Sequence, residues 1–223
     1  MITCYFGVPG CGKTTILTRI AQKELKRIEK GKSKYSHVLT NFYCKGCDVI
    51  SFNDLANYRI EDSLILLDEI TLDADGRCFK SFSEEHKRFF TLHRHLNNDI
   101  VVFCQDFSRM DKTIRNNVYD LWYVTKPVFP LFRQFSVCKR IFRNIAINEF
   151  TSELSLGYRF CTFWESLFTK CKRYIYRKPY YKYFDSYDCS AFDDVDSFSF
   201  EPWDIDEDCD ELTLDSYFGV GKS

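Results

Sequence analysis

The sequence predicts an α/β fold: a mainly parallel central sheet flanked by helices, with a small C-terminal appendage and an acidic tail. Three observations carry this. Short apolar runs alternate with longer amphipathic stretches through residues 1–124, the pattern of successive βαβ units. The glycine-rich stretch GVPGCGKTT, residues 7–15, joins the first apolar run to the first amphipathic stretch. The run SLILLD, residues 63–68, is continuously apolar and ends in an acid, as a strand buried on both sheet faces does where it emerges.

Taken in order, Met1 to Phe6 reads as a buried strand. From Lys13 to Lys30, Ile16, Ile20 and Leu25 recur near a helical period with charges opposite, and Gly31 is placed to stop that helix. Residues 37–42 and 49–52 read as strands, with Cys44-Lys45-Gly46-Cys47 as the turn between them. Residues 63–68 form a central strand, 84–96 a helix, and 99–104 (DIVVFC) another buried strand. A helix over 108–118 and a strand over 121–124 complete the series. After Pro127 the pattern changes, and 135–145 with 158–163 read as an antiparallel hairpin or an added subdomain. The division is a core at 1–126, additional strands at 127–168, a basic aromatic segment at 169–184, and a tail expected to be disordered at 185–223.

The formal net charge of −1 conceals two opposed segments. Residues 170–182 carry Lys170, Lys172, Arg173, Arg177, Lys178 and Lys182 and no acid, whereas residues 185–215 carry thirteen acids and no Lys or Arg. Asymmetry of this kind marks interaction segments. The basic segment interleaves Tyr174, Tyr176, Tyr180, Tyr181 and Tyr183, a composition suited to single-stranded DNA, to an anionic membrane surface, or to pairing with the acidic tail. The 11 cysteines are scattered, and an odd count without a leader segment predicts reduced thiols in a cytosolic compartment. No apolar run is long enough for a membrane-spanning helix.

Chemistry enters with Gly7, Gly10, Gly12, Lys13 and Thr14, which satisfy GxxxxGK[ST] and make the predicted fold that of a P-loop NTPase. Glycines allow positive φ and let backbone N–H groups close around phosphate oxygens, and the following helix directs its N-terminus at the same anion. The whole run Gly7, Val8, Pro9, Gly10, Cys11, Gly12, Lys13, Thr14 and Thr15 is thus a candidate cradle for ATP or GTP. Lys13 would reach the β- and γ-phosphates and the Thr14 hydroxyl would ligate Mg²⁺. Asp68 is the expected second metal-binding group, and Glu69 the expected base that activates water. Gln105, just past a buried strand, is placed where open α/β sheets bind ligands. Arg94, Arg109 and Arg115 are candidates for transition-state charge stabilisation, in cis or from a neighbouring subunit.

Other features carry less. His93 and His95 stand at i, i+2, off a common helical face, which disfavours a metal site. Cys44 and Cys47 form one CxxC without a second ligand pair nearby, so an ordinary turn is favoured. Cys11, next to a helix N-terminus, is expected to be an alkylation-sensitive thiol.

With these segments in hand, the chain resembles the zonula occludens toxin-like (Zot) family, which includes filamentous-phage assembly ATPases. The resemblance rests on GVPGCGKTT, LILLDEI (64–70), KRFFTLHRHLNNDIVVFCQD (87–106) and MDKTIRNNVYDLWYV (110–124), covering roughly residues 1–124. It implies a RecA-like ATPase core with ATP and Mg²⁺, acting in phage assembly or extrusion at the host inner membrane. It implies ATPase roles for Lys13, Thr14, Asp68 and Glu69, a polar post-strand role for Gln105, and trans-acting roles for Arg94 and Arg115. The implied partners are further copies of the chain and phage or host membrane proteins, with single-stranded DNA a further candidate. The implied place is the host cytoplasm, peripheral to the membrane, because the family's usual transmembrane helix has no counterpart in this sequence. Two other classes compete: a small-molecule P-loop kinase, for which no arginine-rich lid segment is found, and a nucleotide-binding structural protein without turnover.

Overall fold

In the computed structural model, which describes residues 1–71, 83–127, 132–147, 154–162, 164–165 and 169–184, nine strands join one sheet. In chain order the elements are β1 (Ile2–Phe6), α1 (Lys13–Glu29), β2 (His37–Thr40), β3 (Asp48–Val49), α2 (Asp54–Asn57), β4 (Ser63–Leu67), α3 (Glu84–Leu92), β5 (Asp99–Cys104), α4 (Lys112–Asn117), β6 (Val118–Thr125), β7 (Phe135–Ile147), β8 (Leu154–Phe160) and β9 (Lys172–Tyr176). Short 3₁₀ turns follow α3 (His93–Leu96), β5 (Phe107–Arg109) and β9 (Lys178–Tyr183). The order β3-β2-β4-β5-β1-β6 is parallel throughout, and β7 then joins β6 antiparallel.

Alternation along the central strands explains why the sheet is covered on both faces. Ile2 and Cys4 of β1, Ile65 and Leu67 of β4, and Ile100 and Val102 of β5 join one core with Phe89 and Phe90 of α3 and Ile114 of α4. Tyr5, Leu64, Leu66, Val101 and Phe103 join the opposite core with Ile16, Leu17 and Ala21 of α1. Burial on both faces requires uninterrupted apolar runs, which is how β4 and β5 read. Gly31 ends α1 as expected: it sits at φ 62°, its N–H meets Ile28 O at 2.9 Å, and Lys32 N–H meets Arg27 O at 2.8 Å. That is the paired closure of a left-handed helix stop.

The residues after Pro127 extend the same sheet. β6 and β9 pair overlapping stretches of β7, so they occupy its two edges, and Ile141 pairs with both Leu121 of β6 and Phe160 of β8. β8 and β9 therefore lie along one edge of β7, separated by residues 161–171. A disulfide between Cys161 and Cys171 closes that excursion, correcting the expectation of reduced thiols throughout. The other described cysteines, at 4, 11, 44, 47, 104 and 138, are free. The basic segment is ordered as β9 and the turn after it. Arg173 lies 3.9 Å over the Trp122 ring and donates to the Tyr5 hydroxyl at 3.0 Å, and Ile175 is buried. Burial pushes the Tyr5 hydroxyl up to about 12 despite that neighbouring guanidinium.

The Cys44–Cys47 segment is the predicted turn, closed by Cys47 N–H on Cys44 O at 3.0 Å with Gly46 at φ 88°. It ties α1 to the chain's last described turn: Gln22 donates to Lys45 O at 2.6 Å, and Lys45 N–H donates to Tyr183 O at 2.9 Å. Among the described residues no helix is long and apolar enough to cross a membrane. The predicted acidic tail lies outside the described residues.

A cross-link over a sequence separation of 10 typically stabilises by about 2–4 kcal/mol. Cys161→Ser is therefore expected to lower the oxidised protein's melting midpoint by about 4–16 °C. Scanning calorimetry with and without reductant checks this, because the reduced wild type should melt with the variant.

Candidate nucleotide site

The order β4-β5-β1 places the C-terminal ends of three parallel strands side by side, and the site is built there. Residues 7–12 leave β1 and turn into α1 at Lys13. Gly7 N–H donates to Cys104 O at 3.3 Å, and a Cβ on Gly7 would overlap Val124 O, so only glycine fits between β5 and β6. Gly10 and Gly12 sit at φ 72° and 94°, left-handed conformations that cost other residues energy. Val8, Pro9 and Gly10 are exposed while Cys11 is fully buried.

From the adjoining strand end, Asp68 and Glu69 meet this loop. Thr14 Oγ1 donates to Asp68 Oδ2 at 2.5 Å, and Lys13 Nζ pairs with Glu69 Oε2 at 2.5 Å. Glu69 adopts φ 48°, rare for a side-chain-bearing residue and worth of order 1–3 kcal/mol of strain. Its N–H donates to Asp68 Oδ1 at 3.0 Å, and its second carboxylate oxygen accepts from Thr71 at 3.2 Å. Burial pushes the Asp68 carboxyl above its ordinary range, against the lowering effects of Thr14 and Lys13. A desolvated carboxylate beside a hydroxyl, with an ammonium next to it, is a donor set suited to a hard divalent cation and a polyphosphate. The left-handed conformations of Gly10 and Gly12 fit the same ligand. Lys13, Thr14, Asp68 and Glu69 are thus brought together as their sequence pattern requires.

Gln105 follows the last residue of β5 at this same end and is exposed. Between it and Asp68, Ile70 N–H donates to Phe103 O at 3.0 Å, locking the acidic turn to β5. Arg109 closes the 3₁₀ turn that follows.

Arg94 and Arg115 are elsewhere. Arg94 lies in the turn before β5 and Arg115 in the last turn of α4 before β6, at the N-terminal ends of those strands. Arg94 lines a cavity there of about 1010 Å³ with Met1, Ile2, His95, Asn116 and Arg143, while Arg115 donates to Ser108 O at 3.1 Å. The five residues of β1 separate that edge from the phosphate loop by about 16 Å. Arg94 thus lies at the strand ends opposite the phosphate loop, whereas the Arg115 side chain reaches back to the turn that follows β5. The physical reason is general: in a βαβ unit the helix carries the chain back to the edge opposite the one the strand has just reached.

The expectation for Cys11 is also overturned. Its thiol is buried, and that burial raises its pKa more than Lys13, Lys126 and Arg177 nearby lower it. His93 is buried with Nδ1 on Phe90 O at 2.9 Å, and burial lowers its pKa.

Sequence reading missed four residues. Asn41, after β2, clamps the Asp68 backbone twice, donating to Asp68 O at 2.8 Å and accepting from Asp68 N–H at 2.7 Å. Ser136 of β7 donates to Cys11 O at 2.6 Å. Arg177, just after β9, reaches Gly10 O at 3.5 Å and also donates to Arg133 O. Lys126, just after β6, has its Nζ 3.0 Å from where a Cβ on Gly10 would be. An asparagine one residue past a strand edge was the only available signal; the others come from strands whose partners the sequence does not reveal.

The sequence profile of the zonular occludens toxin (Zot) family matches residues 8–135. Among solved structures, the N-terminal domain of zonular occludens toxin from Neisseria meningitidis is similar over 82% of this chain and 98% of that one, at 17% identity and a TM-score of 0.53. The DNA-packaging ATPase B204 from Sulfolobus turreted icosahedral virus covers 70% of this chain and 95% of its own, at 8% identity and a TM-score of 0.40. The flagellar accessory protein FlaH from Methanocaldococcus jannaschii covers 62% of this chain and 76% of its own, at 12% identity and a TM-score of 0.46. No curated protein sequence matches.

Two outcomes test this geometry. An acid whose folded pKa is raised is disfavoured when ionised, so stability falls as pH climbs from the ordinary 3.8 through the raised value. Asp68→Asn removes that cost and is expected to raise the nucleotide-free melting midpoint at pH 7.5 by about 2–4 °C; a lower midpoint would show the carboxylate to be net stabilising. Native protein treated with iodoacetamide is expected to keep Cys11 unmodified by peptide mass spectrometry, and to alkylate it only on unfolding.

Proposed function

We propose, from the premise that this chain belongs to the zonular occludens toxin family, that it is an ATP-hydrolysing P-loop enzyme driving filamentous-phage virion assembly, extrusion or DNA movement. The observation that carries the hydrolytic part is the pairing of Lys13 with Glu69 beside the Thr14–Asp68 bond. Thr14 and Asp68 would hold Mg²⁺, which neutralises charge on the β- and γ-phosphates. Loop N–H groups and Lys13 bind the polyphosphate. A triphosphate carries more charge than a single carboxylate and competes with it for the Lys13 ammonium. That exchange releases Glu69 to take a proton from the attacking water. Asn41 holds the Asp68 backbone in place, and Gln105 stands at the same strand ends to orient water or the γ-phosphate.

Arg94 and Arg115 act, in this reading, on the nucleotide of a neighbouring copy, which makes the working unit a homo-oligomer. The site of action is the host cytoplasm at the inner face of the inner membrane, reached through a phage or host membrane protein. Single-stranded DNA is the further partner. The support is the family membership together with the exposed Lys172, Lys178 and Lys182 and the acidic composition of residues 185–215.

Turnover of ATP by the full chain, measured as phosphate release, is expected to fall on the order of 100-fold or more in Glu69→Gln with ATP affinity retained. Lys13→Ala is expected to lose binding as well. Wild-type turnover in Glu69→Gln would remove Glu69 as the base. Arg94→Ala mixed into wild type should depress the activity of the mixture more than in proportion if that arginine serves a neighbour.

A further inference from the structure

The phosphate loop touches a part of the chain that the P-loop pattern does not require. Ser136 and Arg177 belong to the antiparallel extension, 125 and 167 residues from the loop carbonyls they bond. Ser136 is fully buried, and its hydroxyl holds Cys11 O. In a trans peptide the carbonyl and the next N–H point in opposite directions, so fixing Cys11 O outward turns the Gly12 N–H toward the phosphate side. Gly12 is pinned between the same two groups: a Cβ there would stand 2.5 Å from both Ser136 Oγ and Arg177 Cδ.

The charges around the loop point the same way. Cys11 lies in the combined field of Lys13, Lys126 and Arg177. Among the described residues, Lys13 has Glu69 within ion-pair distance, while no carboxylate stands within 4 Å of Lys126 or Arg177. The Arg177 Nε is buried and without a hydrogen-bond partner. A guanidinium half-buried against backbone carbonyls, with no acid beside it, is an arrangement that a bound polyanion would stabilise. Lys126 is exposed, with its ammonium over Gly10 on the open side of the loop.

Resting on the nucleotide-binding reading above, we propose that the bound nucleotide's phosphates are gripped by a second cation, Lys126. In this assignment Ser136 and Arg177 are positioning residues that hold the loop carbonyls outward and its N–H groups inward. The last strand of the sheet is then part of the nucleotide site, and a core truncated after β6 is not equivalent to the whole chain.

The test is isothermal titration of the full chain with Mg-ATP and Mg-ADP, paired with steady-state turnover and the nucleotide-free melting midpoint. Lys126→Ala is expected to weaken both ligands about tenfold, the size of one charge-assisted contact, to raise KM accordingly, and to leave kcat within about twofold. Ser136→Ala, which removes a single hydrogen bond, is expected to raise KM about three- to tenfold. Arg177→Ala should do the same, with Arg177→Lys restoring only part because an ammonium lacks the fork that reaches Gly10 O and Arg133 O together. Arg143→Ala, at the far edge, is the control expected to bind normally. Wild-type affinity in Lys126→Ala overturns the second grip. Kd values for Ser136→Ala and Arg177→Lys no weaker than those of Arg143→Ala overturn the positioning role. Lys13→Ala separates the two levels: if it binds Mg-ATP as wild type does, the P-loop reading itself fails, whereas loss there with normal binding in Lys126→Ala removes this inference alone.

Discussion

An aspartate at the tip of a strand buried on both faces is expensive to ionise, because the surroundings that make the strand stable also exclude water from the carboxylate. The molecule keeps Asp68 there by giving it the Thr14 hydroxyl and the Glu69 N–H, and by seating Lys13 against Glu69 next to it. Each group in this quartet answers the charge or the lone pairs of another. The strained Glu69 backbone belongs to the same arrangement. The left-handed turn breaks strand geometry directly after Asp68, so two consecutive acids both reach the loop instead of alternating to opposite faces as strand residues do.

That quartet depends on strand order. β4 and β1 are not neighbours; β5 lies between them and bonds to both, with Ile70 N–H on Phe103 O and Gly7 N–H on Cys104 O. β5 thereby sets the spacing between acid and loop, which is why its run DIVVFC is almost wholly buried. On the other side, β6 and β7 close against the loop through Val124 and Ser136. The phosphate loop is thus packed between parallel strands on one flank and an antiparallel extension on the other. Its glycines are needed for want of space as well as for torsion.

The extension shows how little the character of a segment says about its partners. Residues 170–182 read as a basic aromatic surface for nucleic acid or membrane, yet Arg173 covers Trp122, Ile175 joins the core, and Arg177 reaches the loop. Lysines at 172, 178 and 182 remain exposed. The excursion from Cys161 to Cys171, closed by their disulfide, lets β8 and β9 share one edge of β7, an arrangement with no period in the sequence.

What the amino-acid sequence determined by itself was local and chemical. The glycine spacing, the apolar run ending in Asp68-Glu69, the Gly31 helix stop and the alternation of strands and helices each follow from the residues that carry them, because backbone torsion and burial are written in short windows. The far-edge position of Arg94 was also implicit, since helices in such a fold return the chain to the edge away from the strands' C-terminal ends. Only the tertiary structure decided that Asn41 would clamp Asp68, that Cys11 would be buried beyond reach, and that Ser136, Arg177 and Lys126 would surround the phosphate loop. Those contacts join positions 27 to 167 residues apart, and they exist because strand order, which no local pattern encodes, brings separate edges of one sheet to the same few carbonyl oxygens.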